Sequence, residues 1–364
     1  MTRGKGRWLV AASAAGMVIL AFSLSGCANL GYYWQSASGH MKLMNAARPV
    51  PEWLADSTTP EALKARLALS QRIRDFAVNE LHLPDNPSYR RYADLHRSAA
   101  VWNVVAAPPY SLTLKTWCFP VTGCVGYRGY FDQAAAQAEA DALRAEGMES
   151  SVYGVPAYST LGWLNWLGGD PLLNTFIGYP EGELARLIFH ELAHQVVYAK
   201  DDTMFNESFA TAVERLGGQM WLGTRASDAA RREYEQFDTR RKTFRGLLLD
   251  TRRQLQSVYG DESASTQDKE ARKQRAMEDF RARYARIKQG WDGFAGYDPF
   301  VARTNNATLG AQAVYDELVP GFEALFEREG RNWPRFYDAV KKLAELPRAE
   351  RHERLTAPMK TPAS

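Results

Sequence analysis

Two imidazoles four residues apart constrain this chain more than any other feature. They stand in His190-Glu191-Leu192-Ala193-His194. Glu183, Leu184, Leu187, Ile188 and Val196 make the surrounding stretch read as helix, with Pro180 and Glu181 near its start. Positions four apart on a helix face the same way, so both rings can be directed at one ion. Zinc accepts neutral imidazole at about 2.0–2.1 Å. Glu191, beside the first histidine, is placed to take a proton from a water that such an ion activates. The chain has only six histidines, and two fall in this pattern. The bland alternative is a pair of buried or capping histidines on an ordinary helix.

A third protein ligand is then required, and His, Asp, Glu or Cys can supply it. Downstream, Phe205, Phe209, Ala212, Val213 and Leu216 form the apolar stripe of a second helix. Glu207 and Glu214, seven residues apart, fall together on a different face. Residues 197–202 allow a turn, and antiparallel packing of the two helices would bring Glu207 against the histidine pair. Glu214 is a candidate to orient a ligand histidine through its second ring nitrogen, or else a solvated carboxylate. Asn206 is a candidate to cap the turn or to fix Glu207, or else an ordinary polar surface residue.

His190–His194 followed by Asn206-Glu207-Ser208-Phe209-Ala210 resembles the gluzincin metallopeptidases, whose thermolysin-like and alanyl-aminopeptidase-like branches carry the zinc Glu in an Asn-Glu-x-x-Ala-type stretch. The resemblance implies His190, His194 and Glu207 as zinc ligands and Glu191 as general base. The gap between His194 and Glu207 is shorter than in those branches, and no third histidine follows closely, unlike the metzincin pattern. More of the chain is similar to a proteobacterial lipoprotein family identified as predicted aminopeptidases. That likeness runs through Lys115-Thr116-Trp117-Cys118-Phe119-Pro120, Tyr127-Arg128-Gly129-Tyr130-Phe131, Tyr158-Ser159-Thr160-Leu161-Gly162-Trp163, the zinc helix and Asn305-Asn306-Ala307.

A peptidase of this kind needs a donor for the developing oxyanion. Tyr158, Tyr315 and Arg128 are the candidates, against a plain packing role for each. His40, His82, His96 and His352 default to surface or structural roles. The stretch 154–160 or the strand expected over Tyr110–Phe119 would pair with a substrate backbone. An aminopeptidase also needs an acidic clamp for the free α-amine. The Gly-Ala-Met-Glu-Asn signature is absent, and Glu149 in Gly147-Met148-Glu149 is only an echo of it. A periplasmic zinc endopeptidase therefore stays open, as does an envelope scaffold or chaperone holding zinc structurally.

The N-terminus reads as an export signal. Arg3, Lys5 and Arg7 precede an apolar stretch from Leu9 to Leu24. Leu24-Ser25-Gly26-Cys27 resembles the bacterial lipobox, which implies cleavage before Cys27 and a lipid on its thiol. The alternative is an uncleaved membrane anchor. Position 28 is Ala rather than Asp, which by resemblance to the sorting rules of enteric-type bacteria implies the outer membrane over the inner one, with the chain facing the periplasm. The formal charge of +3 equals the three basic residues of the signal, so the remainder carries 42 basic and 42 acidic residues. This excludes a nucleic-acid reading based on charge. In an oxidising compartment Cys118 and Cys124 are expected to form a disulfide, with two reduced core cysteines or a weak metal pair as alternatives.

The expected fold is α+β and mostly helical: a zincin-like core with a small β-hairpin upstream of the zinc helix and a long charged helical hairpin downstream. Residues 1–26 are the signal, 27–58 a lipidated tether with a short helix over Tyr32–Asn45, 59–346 a single domain, and 347–364 a polar tail. Within the domain, helices are expected over Pro60–Leu81, Tyr89–Trp102, Asp132–Glu146, Asp170–Thr175, Ala307–Arg328 and Trp333–Leu346. Strands are expected at Tyr110–Phe119 and Val125–Phe131, and strand or loop at Ser151–Leu161. After Gly217-Gly218 the character changes. Residues 225–289 carry 17 basic and 11 acidic side chains and read as a solvated antiparallel arm, with a substrate lid or a protein-partner surface as the alternative.

Overall fold

The helix bearing both histidines, α5 (Glu181–Ala193), lies on α6 (Thr203–Thr224). This pair forms the centre of the fold. The computed structural model describes residues 31–119, 123–157, 168–312 and 317–356. Pairings along the two helices run in opposite senses. Trp221 Nε1 donates to Glu181 Oε1 at 3.0 Å, Arg186 pairs with Glu214, and Glu207 lies opposite His190 and His194. The helices are therefore antiparallel. Asp202 caps α6 by accepting from the Phe205 amide, and α5 opens with Glu181 and Glu183 in its first turn, where the dipole favours acids. Gly217 and Gly218 lie within α6. They let α5 approach: a Cβ on Gly218 would lie 2.8 Å from Arg186 Cγ, and one on Gly217 2.6 Å from Leu81.

Around this pair the chain is mostly helical with small sheets. A helix over residues 31–46, α1, precedes β1 (Arg48–Pro49), α2 (Val50–Ala55) and α3 (Glu61–Asn79). β1 pairs antiparallel with β2 (Arg91–Ala93), which pairs in parallel with β8 (Leu172–Leu173). A second sheet has the order β6-β3-β7, with β3 (Val101–Ala107) antiparallel to β6 (Arg128–Tyr130) and β7 (Glu149–Val155). α4 (Gln133–Ala145), capped by Asp132, covers one face through Ala136, Ala140 and Leu143. α10 (Asn306–Ala311) covers the other through Ala307. The helix expected over Tyr89–Trp102 is thus replaced by two strands. β3 is buried on both faces, so it shows no alternation that sequence periodicity could reveal. The helix expected at Asp170–Thr175 is β8 and a turn.

The hairpin of β4 (Trp117–Phe119) and β5 (Gly123–Val125) is closed by a Cys118–Cys124 disulfide. The strand expected from Tyr110 begins only at Trp117. Downstream, α7 (Asp228–Tyr259) and α8 (Thr266–Lys288) form the long charged hairpin. It is not merely solvated. Phe244, Leu247, Leu255, Phe280, Tyr284 and Trp291 make a separate apolar core, and Arg241 donates to Glu183 of α5 at 2.7 Å. α9 (Asp298–Ala302) leads to α10, and the single helix expected over Ala307–Arg328 is divided into α10 and α11 (Val319–Arg328).

α12 (Trp333–Ala344) follows as expected. Within the polar tail expected from residue 347, the described part forms a helix, α13 (Arg348–Thr356), with Arg351 and Leu355 buried, and residues 357–364 lie outside the described residues. His352 Nε2 lies 2.9 Å from both oxygens of buried Asp202, and Arg351 lies 3.5 Å away. Charge pairing with a buried acid docks this helix, and its low apolar content concealed that contact.

Candidate metal centre

On α5, Leu184, Ile188, Phe189 and Leu192 point into the core while His190 and Glu191 lie on the half-buried side. His194 is the C-cap but keeps helical backbone angles, φ −58° and ψ −21°, so the four-residue spacing still aligns the rings. The two Nε2 atoms are 3.1 Å apart. Glu207 Oε2 lies 3.4 Å from His190 Nε2 and 3.7 Å from His194 Nε2. A tetrahedron with arms of about 2.0–2.1 Å has edges of about 3.3–3.4 Å, so the three atoms sit at three corners of a zinc-sized polyhedron. Among the described residues this is the one cluster of three such donors.

The electrostatics also fit a cation. Glu214 Oε2 is 3.0 Å from His190 Nδ1. That contact gives the Nδ1 proton an acceptor and turns Nε2 toward Glu207 and His194, where Nε2 would be free to ligate once a cation replaced its proton. Burial pushes the His190 imidazolium down, but hydrogen bonds to Glu207 and Glu214 outweigh it and raise its pKa well above the ordinary value. Two half-buried carboxylates thus draw positive charge to this point. Burial holds His194 at about 4, its neutral, ligating form. Its Nδ1 is buried with no hydrogen-bond partner. Burial alone would raise Glu214, yet Arg186 and His190 hold it at about 2. Burial lifts Glu191 to about 7, with Glu207, Asp170 and Glu214 adding to the rise against His190.

A family model described as "Putative aminopeptidase" matches residues 31–355. The chain belongs to this family. No curated protein and no solved structure matches it.

The aminopeptidase family therefore frames the remaining residues. Tyr127 and Tyr153, which sequence reasoning missed, lie beside the cluster. Burial raises the Tyr127 phenol, and Glu207, Tyr153, Tyr198 and Glu191 raise it further. Tyr153 and Tyr198 also feel Glu207. With 17 tyrosines in the chain, no local signal singles these out, because β6, β7 and the α5–α6 turn meet only in the folded chain. Asp170 was missed for the same reason.

Tyr158 and Tyr315 lie outside the described residues, as does Cys27. Arg128 is directed elsewhere: it is 3.3 Å from Glu139 and stacks over Tyr32 at 4.2 Å. Asn206 closes the α5–α6 turn, accepting from the Ala199 amide at 2.7 Å and donating to its carbonyl at 2.8 Å. Glu149 pairs with Lys273 and accepts from the Asn306 amide at 2.7 Å, which makes it a cap for α10.

Proposed function

We propose that this chain is a zinc-dependent aminopeptidase with a zincin-like core, held on the periplasmic side of the bacterial outer membrane by a lipid on Cys27. The observation that carries the reading is the clustering of His190 Nε2, His194 Nε2 and Glu207 Oε2 at separations of 3.1–3.7 Å. A structural zinc site closes all four positions with protein ligands. Here three converge, which leaves the fourth corner for water or substrate.

His190, His194 and Glu207 would hold the ion, and Glu214 would keep His190 in the ligating tautomer. When bound, zinc supplies Lewis acidity, polarising the scissile carbonyl and acidifying a water. Glu191 would take a proton from the attacking water and return it to the leaving amine. Its carboxyl, pushed to about 7, is matched to moving a proton in both directions near neutral pH. The Tyr127 phenol O–H donates to the oxyanion as charge develops. β7 has no second strand partner among the described residues, and beyond Ser150, whose carbonyl accepts from Asn305 Nδ2 at 3.0 Å, its edge would receive an extended peptide.

An endopeptidase is the second reading. It is favoured by the engagement of Glu149, the one echo of an amine-binding acid, with Lys273 and α10. Metal analysis combined with a peptide-library digest, run with and without chelator, tests the main reading. One zinc per chain and chelator-sensitive cleavage are expected; a protein purified natively without metal and without cleavage would refute it. Turnover of one peptide in N-acetylated and unblocked form then separates the two readings. Loss on acetylation is the aminopeptidase result, and equal rates point to the endopeptidase.

A further inference from the structure

Among the described residues the exposed large apolar side chains are Tyr33, Trp34 and Met41, at 44 %, 74 % and 46 %. All three lie on α1. Trp34, Ala37 and Met41 fall at i, i+3 and i+7, one stripe of a helix, and Tyr33 flanks it. The opposite side of α1 is already used. Leu43 and Met44 are buried, Tyr32 packs against Phe119 and Tyr130 with ring centroids 5.6 Å apart, and Gln35 accepts from the Phe131 amide. The helix is thus fixed in orientation by the protein, with its aromatic stripe turned outward.

Three facts identify what that stripe meets. First, residues 31–46 contain no acid, and Lys42 is exposed beside Met41. Second, Trp and Tyr are the side chains that settle at the headgroup level of a bilayer. Third, Trp34 is seven residues from Cys27, a reach of at most about 25 Å at roughly 3.3–3.6 Å per residue. From Leu24, where the apolar stretch ends, to Trp34 is ten residues, a reach of at most about 36 Å. Whether the chain is held by a lipid on Cys27 or by that stretch left uncleaved, α1 is kept within reach of the membrane surface.

We propose that α1 is an interfacial helix that lays Tyr33, Trp34 and Met41 into the headgroup region of a phospholipid bilayer and so sets the orientation of the whole molecule on the membrane. This rests on the membrane-tethered part of the reading above, but not on the choice between a lipid and an uncleaved anchor, nor on zinc. Single-point tethering at Cys27 leaves the body free to rotate, whereas a helix rigidly packed on the β6 side of the protein holds it in one attitude.

The test uses the full chain expressed in a Gram-negative host and reconstituted into phosphatidylethanolamine–phosphatidylglycerol vesicles whose acyl chains carry bromine. Trp34→Phe keeps an apolar ring and removes one fluorophore, so wild type minus variant gives the emission of Trp34. That difference is expected to fall at least twofold in brominated vesicles relative to plain ones and to resist aqueous acrylamide. Emission unchanged by bromine and quenched by acrylamide overturns the proposal, as does failure of the chain to float with the vesicles. Mass spectrometry of the N-terminal fragment reads the diacylglyceryl group separately. A fragment without the lipid removes the lipoprotein reading while the quenching result still decides the role of α1. Replacing Tyr33, Trp34 and Met41 together by Ser is expected to abolish the protected orientation, seen as faster proteolysis around α1 on vesicles, while peptide cleavage in detergent stays at the wild-type rate. Unchanged proteolysis on vesicles counts against the proposal.

Discussion

Glu214→Gln is the change most informative about how the site is built. The carboxylate serves two donors with two oxygens: Arg186 on Oε1 and His190 Nδ1 on Oε2. A Gln of the same shape has one oxygen and one NH2, so one donor must face another donor. If the oxygen stays with Arg186, His190 loses the acceptor that fixes its tautomer. Losing such a partner costs roughly 10- to 100-fold in metal affinity, or about 1.4–2.7 kcal/mol. If the amide turns the other way, Arg186, only 7 % exposed, loses its closest charge partner. A buried donor left unmet costs about 1–3 kcal/mol. Tyr234 at 3.3 Å and Glu183 at 3.8 Å remain to Arg186, so the lower half of that range is expected. Two assays divide the loss: competition for zinc against a chelator of known affinity, and urea unfolding of the metal-free chain. The sum of the two losses is expected to reach at least about 1 kcal/mol. A variant that binds zinc as tightly as wild type and unfolds at the same urea concentration would refute the bridging role of Glu214.

Glu191→Gln is expected to keep one zinc per chain and to lower turnover roughly 100- to 10,000-fold; full activity at normal zinc content would remove Glu191 as the base. Glu207→Ala is expected to bring the zinc content measured after dialysis close to none while the far-ultraviolet circular dichroism stays helical, and retained stoichiometric zinc would exclude it as a ligand. Arg351→Ala with His352→Ala leaves Asp202, 1 % exposed, with the Phe205 amide at 3.2 Å and, as its one remaining charged neighbour among the described residues, Arg348 at 3.7 Å. A loss of about 3 kcal/mol in urea unfolding is expected, and a loss below about 1 kcal/mol would show that α13 is not a latch on the Glu207 helix. Cys118→Ser with Cys124→Ser opens a loop of sequence separation 6 and is expected to cost about 2–3 kcal/mol, read from the same unfolding curves.

Much of this could be read along the chain because it depends on local spacing. The four-residue repeat of His190 and His194, the seven-residue repeat of Glu207 and Glu214, and the cysteines flanking a five-residue turn are all settled by the geometry of a single helix or hairpin. The mostly helical character and the long α7–α8 hairpin follow from the same periodicity. Strand β3 could not be read this way, since burial on both faces removes the alternation that marks a strand. Nor could α13, whose docking comes from ion pairs with a residue about 150 positions away.

The sequence by itself determined which residue types were available to bind a cation and which of them share a helix face. Only the tertiary structure decided that Glu207 and Glu214 meet opposite sides of one imidazole ring, because that depends on the register between α5 and α6. The Gly217–Gly218 contact and the Asn206 turn set that register. It likewise selected Tyr127 and Tyr153 from 17 tyrosines, since nearness between a strand and a helix is a property of packing that no local pattern records.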